Sequence, residues 1–171
     1  RRRASRLALA LALGGCAGDP AIAATEGELR PDTPGTTEML PIYAASETVE
    51  SIVSPGGSFR IHFTRAGANA VNLRDDDANG TPDFVDYVAQ QYDEVLARYT
   101  SMGFRAPRTD GNVPVDHGGD ALFDVYLLDF GAGAGADGAF RREDCIAGSG
   151  CSGYMVMEND FVGFSYPSSR Y

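Results

Sequence analysis

Asp75-Asp76-Asp77-Ala78-Asn79-Gly80-Thr81-Pro82-Asp83-Phe84-Val85-Asp86 is the stretch whose reading decides the fold. Counted from Asp75, oxygen-bearing side chains fall at positions 1, 3, 5, 9 and 12, and position 6 is glycine. This is the ligand pattern of a calcium loop. Calcium is a hard cation that takes about six to eight oxygens, and a tight turn with alternate side chains pointing inward supplies them. Asp75, Asp77 and Asn79 are the first expected ligands. Thr81 offers its backbone carbonyl, Asp83 acts directly or through water, and Asp86 closes the shell. Gly80 permits the sharp turn around the ion.

The loop departs from the EF-hand at two points. Position 12 is Asp86, one methylene shorter than the usual glutamate, and position 8 is Pro82, which has no N–H to pair with a second loop. Residues 66–74 make a poor entering helix. The reading is a solitary calcium loop that leads into one helix. An acidic turn that caps the helix without a metal stays open as the alternative.

Downstream of the loop, Val85, Val88, Tyr92, Val95, Leu96 and Tyr99 repeat at helical spacing. Thr81 is the expected cap, Pro82 the first helical residue, and Asp83 complements the helix dipole. Gly103 in the C′ position, followed by apolar Phe104, ends the helix. Upstream, Phe59-Arg60-Ile61-His62-Phe63-Thr64 alternates as a half-buried strand. Phe59, Ile61 and Phe63 face inward in this reading, and His62 faces solvent.

Further along, Phe123 to Phe130 reads as a second strand and Tyr154 to Phe161 as a third. Residues 105–120 read as a loop, with Asp110, Asn112 and Asp116 as turn residues and His117 as a lone loop histidine. Gly131 to Gly138 reads as a flexible glycine loop, because no helix pattern follows it. Cys145 and Cys151, separated by five residues, pair in an exported protein as a disulfide closing a small loop.

At the other end, Arg1, Arg2, Arg3 and Arg6 precede the apolar run Leu7 to Leu13, the signature of an export signal. Leu13-Gly14-Gly15-Cys16 resembles the lipobox of bacterial lipoproteins, in which the cysteine is lipidated. Cleavage at an ordinary signal peptide with an incidental cysteine is the other reading. Residues 17–57, with five prolines, read as a mostly disordered, acidic, Pro-rich linker, with room for one short element within Tyr43 to Val53. Beyond the N-terminal arginines, 10 basic residues face 24 acidic ones, a formal charge of −14. A body that acidic repels nucleic acid and anionic membrane surfaces. No nucleic-acid partner is expected, and membrane contact is expected only through a lipid anchor.

Four stretches together resemble the upstream half of a family of secreted bacterial metalloproteases. They are Phe59 to Thr64, Asp77 to Asp86, Phe123 to Leu127, and Glu158-Asn159-Asp160-Phe161. The resemblance covers residues 58–165. The family often carries Glu where this chain has Asp86. In that family a zinc-binding HExxH helix follows the strand that ends in Asn-Asp-Phe. His62 and His117 cannot supply it. The resemblance therefore implies an HExxH motif beyond Tyr171, a zinc ion held in the full-length parent, and no catalytic residue within this chain.

The expected fold is α+β: a small twisted sheet backed by one long helix, like the upper lobe of zincins, with the solitary calcium loop at the helix start. Expected boundaries are a signal peptide with lipobox at 1–16, the linker at 17–57, and an α+β domain at 58–171, truncated at its C-terminal end. The strand at residues 154–160 is expected at the sheet edge near a substrate cleft. The expected function is the N-terminal part of an exported, calcium-stabilised metalloprotease acting on a peptide substrate. The alternative is a non-enzymatic calcium-binding surface lipoprotein with an adhesive role.

Overall fold

The computed structural model describes residues 30–33, 41–111, 118–131, 136–146 and 150–164. The fold is α+β. Its elements in chain order are β1 (Val49–Val53), β2 (Phe59–Thr64), α1 (Asp83–Ser101), β3 (Phe123–Leu128), β4 (Gly138–Ile146) and β5 (Gly150–Glu158). Among the described residues they form one mixed sheet, in the order β1-β2-β3-β5-β4. β2, β3 and β5 run parallel, while β1 and β4 are antiparallel partners at the two ends. Parallel neighbours need a long crossover connection, and α1 provides the one from β2 to β3.

Alternation along the strands sorts side chains to two faces. Phe59, Ile61 and Phe63 of β2 join Val125 and Leu127 of β3 against Phe84, Val85, Val88 and Ala89 of α1. On the opposite face Tyr126, Leu128, Tyr154 and Val156 pack with Tyr43. The inward set expected for β2 is thus observed.

His62 is not solvent-facing, however: it is only 4% exposed. The second face is covered by chain from the stretch expected to be a linker. Tyr43 lies there, its hydroxyl 2.8 Å from the Leu127 carbonyl oxygen and 3.1 Å from that of His62. Arg30 is fully buried over the same face. The expected linker also supplies β1, which pairs with β2 from Val49↔Thr64 to Val53↔Arg60. A segment with little periodicity of its own is ordered here by backbone pairing with a neighbouring strand.

Two further expectations change. The strand at 154–160 is not an edge, because β5 runs between β3 and β4. The edge on that side is β4, whose run Gly-Ala-Phe-Arg-Arg-Glu-Asp-Cys-Ile carries too much charge to read as a strand. At the head of α1, Pro82 occupies the N-cap with φ −60° and ψ 136°, so the first helical residue is Asp83, and no side chain caps the helix. The far end follows expectation. Gly103 has φ +90°, its N–H donates to Thr100 O at 3.0 Å, and Phe104 N–H donates to Tyr99 O at 3.1 Å. This is the Schellman pattern, and the Tyr99 and Phe104 rings meet edge-on at 5.5 Å.

α1 packs mainly on β2 and leaves part of its own sheet face open. A trough of about 400 Å³ runs between Tyr87, Val88, Gln91, Tyr92 and Val95 of the helix and Met157 of β5. A neighbouring groove of about 360 Å³ continues past Tyr99, Phe104 and Met155. Val95 and Tyr99 are about half exposed there, so these two members of the helical stripe are not core, while Leu96 packs against the core.

Candidate functional site

The acidic loop leaves β2 and folds back to start α1. Arg65, just past β2, donates through Nη2 to the Gly80 carbonyl at 2.7 Å and pairs with Glu50 of β1 at 3.0 Å. Asp83 N–H donates to Arg74 O at 2.8 Å, and Asp76 N–H returns a bond to Asp83 Oδ1 at 3.0 Å. Gly80, at φ +91°, makes the turn between them, and Ala78 at φ +56° adds a second left-handed residue.

This wrapping brings the carboxylates of Asp75, Asp77 and Asp83 together, with one oxygen from each within 4.8 Å of the others. Asp86 joins through Asn79, whose Nδ2 donates to Asp86 Oδ2 at 2.8 Å and to Asp77 Oδ2 at 3.2 Å. Asn79 Oδ1 accepts from Thr81 N–H at 2.7 Å. Asp75 accepts backbone N–H bonds from Asn79 and Gly80 at 3.2 and 3.0 Å. Asn79 therefore turns its donors toward two carboxylates, supplying partial positive charge where a cation would supply more. The donor set is all oxygen, which suits calcium or magnesium and not a soft metal.

The other expected site residues are distributed as follows. Cys145 and Cys151 form a disulfide, and they face each other as partners in the β4–β5 ladder. Cys16, Asn112, Asp116 and His117 lie outside the described residues. Among the described residues no helix is long and apolar enough to cross a membrane.

A second cluster was not expected from the sequence. It sits on the sheet face away from α1 and centres on the Arg30 guanidinium. Glu143 of β4 accepts from Arg30 Nε at 2.9 Å and from Nη2 at 3.0 Å. Asp110 accepts from Nη2 at 2.5 Å, Asp124 of β3 accepts from Nη1, and the Tyr126 hydroxyl lies 3.4 Å from Nη1. The guanidinium carbon stands 5.1 Å above the Tyr154 ring. His62 Nε2 lies 2.7 Å from the other Asp124 oxygen, and its ring stacks on Tyr126 at 4.3 Å. Asp110, expected as a turn residue, is 1% exposed.

Burial dominates the proton affinities in this cluster. It pushes the Glu143 carboxyl up to about 7 and that of Asp110 up to about 6, against the opposing pull of Arg30. For Arg30, burial alone lowers the value, but Tyr126, Asp124 and Glu143 around it more than reverse that. The Tyr126 phenol is raised, first by burial. The sequence did hold a signal for this cluster. Asp124 interrupts an otherwise apolar strand at the same register as Arg60 and next to His62.

The described residues do not fit a catalytic zinc ion. Their one histidine, His62, is buried and already bonded to Asp124. A catalytic zinc site needs about three protein ligands and an open position. The chain matches no protein-family model, no curated protein and no solved structure with which it was compared.

Proposed function

We propose that this chain is the N-terminal part of an exported, calcium-stabilised metalloprotease, tethered to the membrane through lipidated Cys16. The observation that supports this most is the open half of the sheet beside α1. The trough between Tyr92, Val95 and Met157 lies where a second helix would pack against the sheet, as the zincin-like architecture requires. In this reading the second helix carries HExxH and follows Tyr171. Zinc bound there would activate a water for attack on a peptide bond. The residues described here build the lobe that supports it. β4, the antiparallel edge strand, would present unpaired backbone groups to an extended peptide.

Calcium has a structural role in the same proposal. Asp75, Asp77 and Asp83 would hold the ion. Asn79 would have to turn its amide oxygen inward from Thr81 N–H, and Asp86 and the Thr81 carbonyl would complete the shell. Asp83 belongs to the first turn of α1, and Gly80 is tied to Arg65 beyond β2. An ion at that point fixes the start of the helix against the sheet.

The test is to extend the reading frame past Tyr171 and assay the longer chain on an unfolded protein substrate. Cleavage that a zinc chelator stops supports the proposal. A stop codon, or repeated acidic loops without HExxH, rejects it in favour of a calcium-binding surface lipoprotein that offers the same trough to a partner.

A further inference from the structure

The Arg30 cluster has the composition of a ligand and its receptor. Every acceptor around the guanidinium comes from a part of the chain 80 to 113 residues away in sequence. Asp110 precedes β3, Asp124 and Tyr126 lie on β3, Glu143 lies on β4 and Tyr154 on β5. Strand pairing fixes Asp124, Tyr126 and Tyr154 without reference to Arg30, while Glu143 lies at the register shift of β4 and Asp110 in the loop before β3. The segment around Arg30 is tied by a turn, Thr33 N–H to Arg30 O at 2.9 Å, and by Tyr43 N–H to Pro31 O at 3.1 Å. Neither bond involves the carboxylates.

The geometry suits a planar fork. Glu143 receives two parallel N–H bonds, Asp124 and Asp110 take the remaining edges, and an aromatic face lies 5.1 Å away. An ammonium has neither the plane nor the number of donors to replace this. With Arg30 in place the three carboxylates are each at most 1% exposed, and truncating it leaves them facing one another across the space it filled. Without a counter-ion these groups must either take up protons or accept a cation of matching shape, so guanidinium binding to the emptied pocket competes with protonation.

We propose that Asp110, Asp124, Glu143, Tyr126 and Tyr154 form a guanidinium-binding site that the chain fills in cis with Arg30. The segment around Arg30 is held as a bound ligand, and an arginyl side chain from solution takes its place when Arg30 is truncated. The site would recognise arginine within a peptide and reject lysine. This inference does not depend on the peptidase reading.

The experiment uses the full chain with Arg30→Ala and Arg30→Lys. Thermal melts are recorded with N-acetyl-argininamide and, at equal ionic strength, N-acetyl-lysinamide. The wild type should respond to neither. Arg30→Ala should melt lower than wild type and regain part of the loss, saturably, with millimolar N-acetyl-argininamide only. Arg30→Lys should stay below wild type. No saturable rise in Arg30→Ala, or equal responses to the two amides, overturns the proposal. If Arg30→Ala is unfolded at the start, far-UV circular dichroism decides. Refolding with the arginine amide alone supports the site, and failure with both rejects it.

Discussion

His62 Nε2 lies 2.7 Å from Asp124 Oδ1, and the other oxygen of that carboxylate receives Arg30 Nη1. One side chain of β3 thus joins a ring on β2 to a cation from the N-terminal stretch, and all three groups are buried. The consequences of cutting each side differ. Asp124→Asn removes one of three carboxylates facing Arg30 and should cost about 3 kcal/mol, the low end of the range for breaking a buried ion pair, because Asp110 and Glu143 remain. His62→Phe keeps a ring against Tyr126 and deprives Asp124 of one bond, for about 1–3 kcal/mol. Urea unfolding of both variants checks the ranking. A larger loss for His62→Phe would contradict it.

The pH profile of stability follows from Glu143 and Asp110. The groups facing them are Arg30, Asp124, Tyr126, His62 and Tyr154. Both carboxyls hold their protons more tightly folded than unfolded, Glu143 to about 7 and Asp110 to about 6. Between their ordinary values and these, the folded state binds more protons than the unfolded chain, so stability falls as pH rises. Each tenfold change in proton affinity is worth about 1.4 kcal/mol. The melting temperature should therefore drop between about pH 4 and 7. Glu143→Gln should flatten that slope, and melts in a set of overlapping buffers decide the matter.

Cation binding at the acidic loop has a direct thermal signature. Extracellular loops of this type bind calcium at about 10⁻⁴ to 10⁻³ M. Calcium at about 1 mM, roughly one to ten times such a dissociation constant, stabilises by about 0.4 to 1.4 kcal/mol. Calcium should raise the melting temperature over an EDTA-treated sample, and Asp77→Asn should abolish most of the rise. An identical melt in EDTA and in millimolar calcium removes the ion from the account.

The Cys145–Cys151 bond joins β4 to β5 just beyond the register shift between Arg142 and Cys145. Closing so short a loop stabilises by about 2 kcal/mol in chain-entropy bookkeeping. The double variant Cys145→Ser, Cys151→Ser should lose about that much in urea. Amide hydrogen exchange should rise first in β4, which has a neighbour on one side only.

Local patterns in the sequence were enough for β2, β3, α1 and the Gly103 cap. Each depends on spacing within about a dozen residues, on periodicity or on a single left-handed position. The acidic loop was legible for the same reason: its carboxylates are close in sequence, and a turn gathers them. β4 was not legible, and β1 only as one short element of unassigned type within Tyr43 to Val53. β1 is short and sits among prolines, β4 is rich in charge, and both are ordered by the ladder of a neighbouring strand.

The Arg30 cluster lay further out of reach, because its members span residues 30 to 154 and meet only when the sheet closes. His62 shows the difference in one residue. Strand alternation correctly put it opposite Phe63, but alternation cannot say what covers the far face. The sequence alone determined which side chains share a face and where the chain can gather oxygens, since those are properties of neighbours along the backbone. Only the tertiary structure decided that the polar face is a second interior with a cation at its centre, because burial there depends on contacts between distant segments.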